Sequence, residues 1–438
     1  MKSIYLSKLR PSIILLFFVW SLAIFCYAFL LVLETFGFKS VEIDKTDSYL
    51  FMFLCLSLLF LGLILGNSGR LGLRRSQQLH LDIYSLDSVG IINSLCFIGF
   101  VAGIVSFAAA GGVSADLETQ RALHTSGELD TRGGLSAYIS LFGSAFGIIG
   151  VSLIPWTRQH GVQKTLFSIL PVFGSLLRAL VTGGRISVLI FCLPLILSFF
   201  VKHQKLIFLK YKLKFIVTIT ILGTLFVSAM SAWVFFRESS RLEVLFRDLE
   251  NISLFLSGFG IKTKSDTNLY LTYGIYRTFS NISTAIYHFP PFFEVYKPHP
   301  LMGGYQFSFI AQRFPNADWF AWKNEVEDSY RYFGMFWNVW GTFVRDYVID
   351  FGWIGAPIAS YLSGFFIGRL EVRYLRSPFL LSLYILSLVW LVMSIFYSAL
   401  LIRYFHIAII LLIVCQFLIK QNPRKINKAW EKSIKGRF

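Results

Sequence analysis

Apolar residues run on along this chain instead of alternating with polar ones. Ten stretches, 11–33, 48–66, 88–110, 135–155, 165–181, 186–201, 215–236, 343–368, 379–397 and 404–419, are apolar almost throughout. A helix rises about 1.5 Å per residue, so about 20 residues cross a hydrocarbon core of about 30 Å, and each stretch is predicted to be a spanning helix. Only the seventh and eighth are separated by a long polar segment, 237–342. The expected architecture is all-α: one polytopic membrane domain over 1–438, with about ten transmembrane helices and one large loop.

The basic residues decide which side that loop occupies. With the N-terminus in the cytoplasm, the inner connections and the two termini hold 23 of the 41 lysines and arginines, against four acids (Asp82, Asp87, Glu371, Glu431). Lys and Arg in short connections resist translocation, so both termini are expected inside and 237–342 outside. The net charge of +17 is explained by this asymmetry and does not point to nucleic acid. Lys2, Lys8 and Arg10 before the first apolar run imitate a secretory signal. The run is longer than a signal's and no small-x-small cleavage site follows, so it is expected to remain as the first helix. A composition 55% hydrophobic and only 15% charged excludes an ordinary soluble domain. The cysteines (Cys26, Cys55, Cys96, Cys192, Cys415) all fall inside apolar runs without C-x-x-C spacing, which indicates neither disulfides nor zinc.

The outer loop is rich in Tyr and Trp, among them Tyr270, Tyr273, Tyr276, Tyr287, Trp319, Trp322, Trp337 and Trp340. Two readings fit such residues: stacking on sugar faces, or the aromatic belt at the membrane interface. Larger apolar residues recur every three or four positions over 270–288, which predicts a helix along the membrane surface. The prolines of Phe289-Pro290-Pro291 and Pro298-His299-Pro300, with Gly303 and Gly304, predict irregular chain from 289 to 304.

Basic residues at the outer ends of helices carry the candidate chemistry. Arg178 lies about one turn below the outer end of the fifth span, and Arg185 follows the turn Thr182-Gly183-Gly184. The sixth span is 16 residues long, about 24 Å, so Arg185 is expected near the hydrocarbon boundary, where an ionisable group is costly. Arg345 with Asp346 and Asp350 is expected at the top of the eighth span, Arg403 with His406 between the ninth and tenth, and Arg237, Arg241 and Arg247 after the seventh. Guanidinium forks on one face suit a phosphate or diphosphate; snorkelling to headgroups, or local pairing such as Arg345 with Asp346, is the competing account. His299 is placed to accept a proton or to hold a phosphate oxygen, or it is an ordinary turn residue. No metal, nucleotide or cofactor motif is present.

Three segments together resemble the O-antigen polymerase family, the oligosaccharide repeat-unit polymerases: Leu180-Val181-Thr182-Gly183-Gly184-Arg185; Pro300-Leu301-Met302-Gly303-Gly304 with Arg313-Phe314-Pro315; and Asp346 to Gly355, DYVIDFGWIG. The resemblance implies a fold similar to class C glycosyltransferases in a bacterial inner membrane, acting on polyprenyl-diphosphate-linked oligosaccharides at the periplasmic face without a cofactor. The match carries over first to Arg185, as a catalytic residue, and then to Asp350, with Gly303, Gly304 and Arg313 in the matching segments as substrate-binding residues; the residues' own chemistry adds His299 as a catalytic candidate and Arg178, Arg241, Arg345 and Arg403 as substrate-binding ones. Partners implied are the bilayer, a chain-length regulator and a flippase. An O-antigen ligase shares the donor and the outer loop. A lipid-linked oligosaccharide flippase is the alternative of another class, for which charges near mid-membrane and broken helices are expected.

Overall fold

A computed structural model of the chain describes residues 10–34, 46–68, 89–109, 134–157, 161–182, 186–209, 286, 289–296, 301, 304–306, 342–395 and 402–421. Helices lie over nine of the ten apolar runs: α1 (Pro11–Glu34), α2 (Thr46–Asn67), α3 (Val89–Ala109), α4 (Gly134–Leu153), α5 (Val162–Thr182), α6 (Ile186–Leu209), α8 (Phe343–Arg373), α9 (Pro378–Met393) and α10 (Arg403–Gln421). The run 215–236 lies outside the described residues, as do Arg185, Arg241, His299, Gly303, Arg313 and, apart from Ile286, the surface helix expected over 270–288. No strand occurs among the described residues. Thr46–Asn67, Val89–Ala109, Leu135–Trp156 and Phe343–Arg373 are each long and apolar enough to cross a membrane. Large apolar side chains such as Phe17, Phe25, Phe53, Leu135 and Ile354 are exposed on the outward faces of the helices, as lipid contact requires.

One expectation fails at the start of the described loop. A short helix, α7 (Phe289–Val295), forms where prolines predicted irregular chain. Pro290 and Pro291 occupy its first turn, where backbone N–H groups have no helical acceptor and a missing donor costs nothing.

Glycines set the closest helix pairs. Gly62 and Gly66 on α2 meet Gly364 and Gly368 on α8 backbone to backbone: a Cβ on Gly62 would sit 2.8 Å from Phe365 N, and one on Gly368 2.6 Å from Leu63 O. The numbering rises together along both helices, so they run parallel. Gly99 on α3 faces Gly147 on α4, while Cys96 faces Gly150, so that pair is antiparallel. Both directions agree with alternating passage of successive spans. Small residues at such spacing let backbones approach closely where no hydrophobic force drives helices together. At the far end, the buried Glu371 accepts from Ser12 Oγ at 2.5 Å and Asn67 Nδ2 at 3.1 Å, tying α1, α2 and α8 together.

α8 is not one straight span. Gly352 has φ 70° and ψ −179°, a backbone conformation outside the helix and essentially confined to glycine. Residues 16 apart in a straight helix are separated by about 24 Å. Yet Tyr347 Oη and Ser363 Oγ are 2.5 Å apart. The segment 343–351, here α8a, therefore folds back along 353–373, α8b. The start of α8a lies deep in the bundle: Phe343 packs edge-on against Trp20, ten residues into α1, and against Trp390 of α9. Phe343 N donates to Ser394 O at 2.9 Å, so the start of α8a and the end of α9 meet inside the protein. Every residue from Thr342 to Asp350 is buried. A Gly352→Val variant is expected to lose about 1–3 kcal/mol from backbone strain alone. Thermal unfolding in detergent checks this, with Gly90→Val as the comparison, where an added Cβ meets nothing within 4 Å.

Candidate functional site

Two buried polar groups lie among these helices. The first is built on α8a. Arg345 donates through Nε and Nη2 to Asp346 Oδ1 at 3.1 and 3.0 Å, and through Nη2 to Tyr305 Oη at 3.4 Å. Asp346 occupies the first helical turn, where the partial positive charge of the exposed N–H groups favours an acid. One turn on, Asp350 accepts from the backbone N–H of Tyr305 at 2.7 Å and of Gln306 at 3.1 Å. These amides are presented by a tight turn in which Gly304 N donates to Leu301 O at 2.9 Å, and Leu301 N in turn donates to Ile349 O at 3.4 Å. Two of the three segments that carry the resemblance are thus bonded to each other. α7 closes over the hinge: Phe293 lies edge-on to Trp353 at 4.8 Å, and Phe51 of α2 packs on the same indole at 5.3 Å.

The second group surrounds Arg178, near the end of α5. Its guanidinium reaches Ser144 Oγ at 3.0 Å and Ser140 Oγ at 2.5 Å, both on α4, and lies over the Tyr404 ring with 4.9 Å to the centroid. Tyr404 in turn donates to Ser187 Oγ at 3.3 Å. Ser106 of α3 joins the group through Ser140. Ser140 and Ser144 are one turn apart and share a face of α4, which is why a single guanidinium reaches both. The side chains of Ser140, Ser144 and Tyr404 are buried and Arg178 is half-buried, so the group opens at the charge.

The chain matches no family model, no curated protein and no solved structure.

The expected site residues therefore divide by geometry. Gly304, Arg345 and Asp350 come together around α8a. Arg178 forms its own group with α4 and α10, while Arg403, the residue before Tyr404, is half-buried at the start of α10. Arg345 is not at the top of a span as expected. It lies two residues beyond Phe343, buried in the bundle, because Gly352 reverses the helix. Its fork is given to Asp346 and Tyr305, which is the local pairing the sequence allowed. Tyr404, Ser140, Ser144, Tyr305 and Gln306 were missed. The serine spacing was legible on α4. The two loop amides were not, since a backbone donor leaves no mark in a sequence. Among the described residues no set of three or more His, Cys, Asp or Glu side chains gathers to hold a metal.

Proposed function

We propose that the protein is an oligosaccharide repeat-unit polymerase of a bacterial inner membrane, with about ten spans, both termini in the cytoplasm and the 237–342 loop in the periplasm. In this reaction the bond between the anomeric carbon of the growing chain and its polyprenyl diphosphate breaks. A hydroxyl of a second lipid-linked repeat unit forms the new glycosidic bond and gives up its proton, for which His299 is the proposed acceptor. The lipid diphosphate leaves with the bonding pair, and its own bond energy drives the step, so no nucleotide is needed. Charge develops on the departing oxygen, and fixed cations lower the barrier most when they are aimed there.

The observation that carries this reading is the Arg178 group. It offers a half-buried guanidinium set among hydroxyls and an aromatic face, five residues before the Gly183-Gly184-Arg185 turn that carries the resemblance. The guanidinium suits diphosphate, and the buried serines and ring that hold it fix its direction. Arg185 and Arg403 are the proposed companions.

The test is a surface-polysaccharide gel of the deletion strain carrying variants at normal protein level. Loss of the long ladder with single-repeat material retained supports the polymerase. Arg178→Ala and Arg185→Ala are expected to lower ladder formation by about 10²–10³, the usual effect of losing one transition-state donor. Arg185→Lys is expected to keep part of the activity, because the charge survives and the fork does not. A normal ladder in both alanine variants overturns the assignment.

One observation favours the second class. The broken α8, with a charged pair at the buried start of its half-helix, is the kind of feature a lipid-linked oligosaccharide transporter uses. Loss of single-repeat and long material together, with undecorated lipid core, selects the flippase or the ligase.

A further inference from the structure

The opposite end of the bundle carries a cationic group that the proposed reaction does not use. After α4 the chain makes a 3-10 turn, Ile154–Trp156, and leaves it at Thr157. Lys164, at the start of α5, donates through Nζ to Pro155 O at 3.0 Å and Thr157 O at 3.3 Å. Lys202, near the end of α6, donates through Nζ to the same Pro155 O at 2.5 Å. Two ammonium nitrogens bonded to one oxygen lie no farther apart than the two bonds laid end to end, about 5.5 Å. His203 stacks on Phe199 and feels the charge of both lysines. Among the described residues, no carboxylate pairs with any of the three.

Like charges this close repel, and among the described residues only the partial charge of carbonyls offsets them. A surface lysine ordinarily swings away from such a neighbour, since its stem is flexible. Here Lys164 is half-buried between the turn and the helix, while Lys202 and His203 keep the group open to the outside. An oxyanion bridging the two ammonium groups completes the arrangement. The place fits as well: the group sits where α4 ends and α5 begins, beside the C-terminal part of α6, at the level of the inner headgroups in the orientation the basic residues favour. Basic pockets between helix ends on that side suit phosphate headgroups.

We propose that Lys164, Lys202 and His203 form a phosphate-binding site at the cytoplasmic ends of α4, α5 and α6. The phosphate is that of an anionic lipid headgroup or free inorganic phosphate, and the site is separate from the proposed periplasmic chemistry.

The experiment is native mass spectrometry of the full-length protein in detergent. Phosphatidylglycerol, phosphatidylcholine and inorganic phosphate are each titrated onto the wild type, the Lys164→Gln/Lys202→Gln variant and the Lys164→Arg/Lys202→Arg variant. The wild type and the arginine variant are expected to retain one phosphatidylglycerol in preference to phosphatidylcholine. The glutamine variant is expected to bind it roughly 10- to 30-fold more weakly, the loss of two basic contacts. Retention of inorganic phosphate instead, with the same variant dependence, assigns the site to the free ion. Lys202→Gln alone, at the exposed position, gives the same reading if the double variant aggregates, with a several-fold loss expected. Equal binding of phosphatidylglycerol and phosphatidylcholine, without a preference for inorganic phosphate, or glutamine variants indistinguishable from the wild type, overturns the proposal.

Discussion

Replacing Asp346 with alanine lowers the stability of the folded protein by about 3–5 kcal/mol, the usual cost of removing one partner from a buried ion pair. Arg345 is 4% exposed and Asp346 is fully buried, so water cannot take the place of the lost carboxylate. Its bond to Tyr305 Oη, at 3.4 Å, is long and goes to a neutral acceptor. Expected is a fall of several degrees in the midpoint at which the detergent-purified protein loses its monodisperse elution peak. Arg345→Met combined with Asp346→Leu removes both charges and is expected to recover most of that loss. This double variant also separates two roles. Folding with activity kept makes the pair a structural device that seats α8a, and folding with activity lost gives it a part in function. An alanine variant as stable as the wild type would show that the guanidinium finds water in the membrane-embedded protein.

Gly364→Leu is expected to prevent the bundle from assembling. A Cβ at this position falls on the Leu59 carbonyl oxygen and within 3.0 Å of Leu63 N, both backbone atoms of α2. Extra methylenes in an ordinary core cost about 1–3 kcal/mol because neighbouring side chains yield. Backbone in the middle of a helix cannot rotate away, so α2 and α8b have to separate, and contacts along both helices go with them. The result expected is little or no detergent-stable protein. Gly90→Leu on α3 is the control: a Cβ there meets nothing within 4 Å, and normal yield is expected. Equal yields from the two variants would mean that the α2–α8 contact does not hold the bundle together.

Much of the helical layout was legible because lipid imposes a strong and local rule. A run of about 20 apolar residues is a helix wherever it occurs in a bilayer, since no other local structure satisfies its backbone there. Eight runs are delimited to within about five residues on that basis, and the sixth helix continues to Leu209, eight residues past its apolar run. The α8 hinge was harder, although it left traces. A 31-residue helix is about 46 Å long, more than the hydrocarbon needs, and three charged residues crowd its first eight positions. Read as the top of a span, those charges fall at the surface. With Gly352 reversing the chain they fall inside, and Asp350 becomes the acceptor that pins the Leu301–Gln306 turn. Arg178 was found by its cost near hydrocarbon, but its partners come from α4 and α10, 34 to more than 220 residues away in sequence.

The sequence by itself determined which segments form long apolar helices and which face the basic connections favour, because hydropathy and charge asymmetry act on each segment separately. Only the tertiary structure decided that α8a turns back into the bundle, that Arg345 pairs with Asp346, and that Arg178 rests on Ser140, Ser144 and Tyr404. Those outcomes depend on one positive dihedral at Gly352 and on contacts between distant helices, and neither is encoded in the local run of residues.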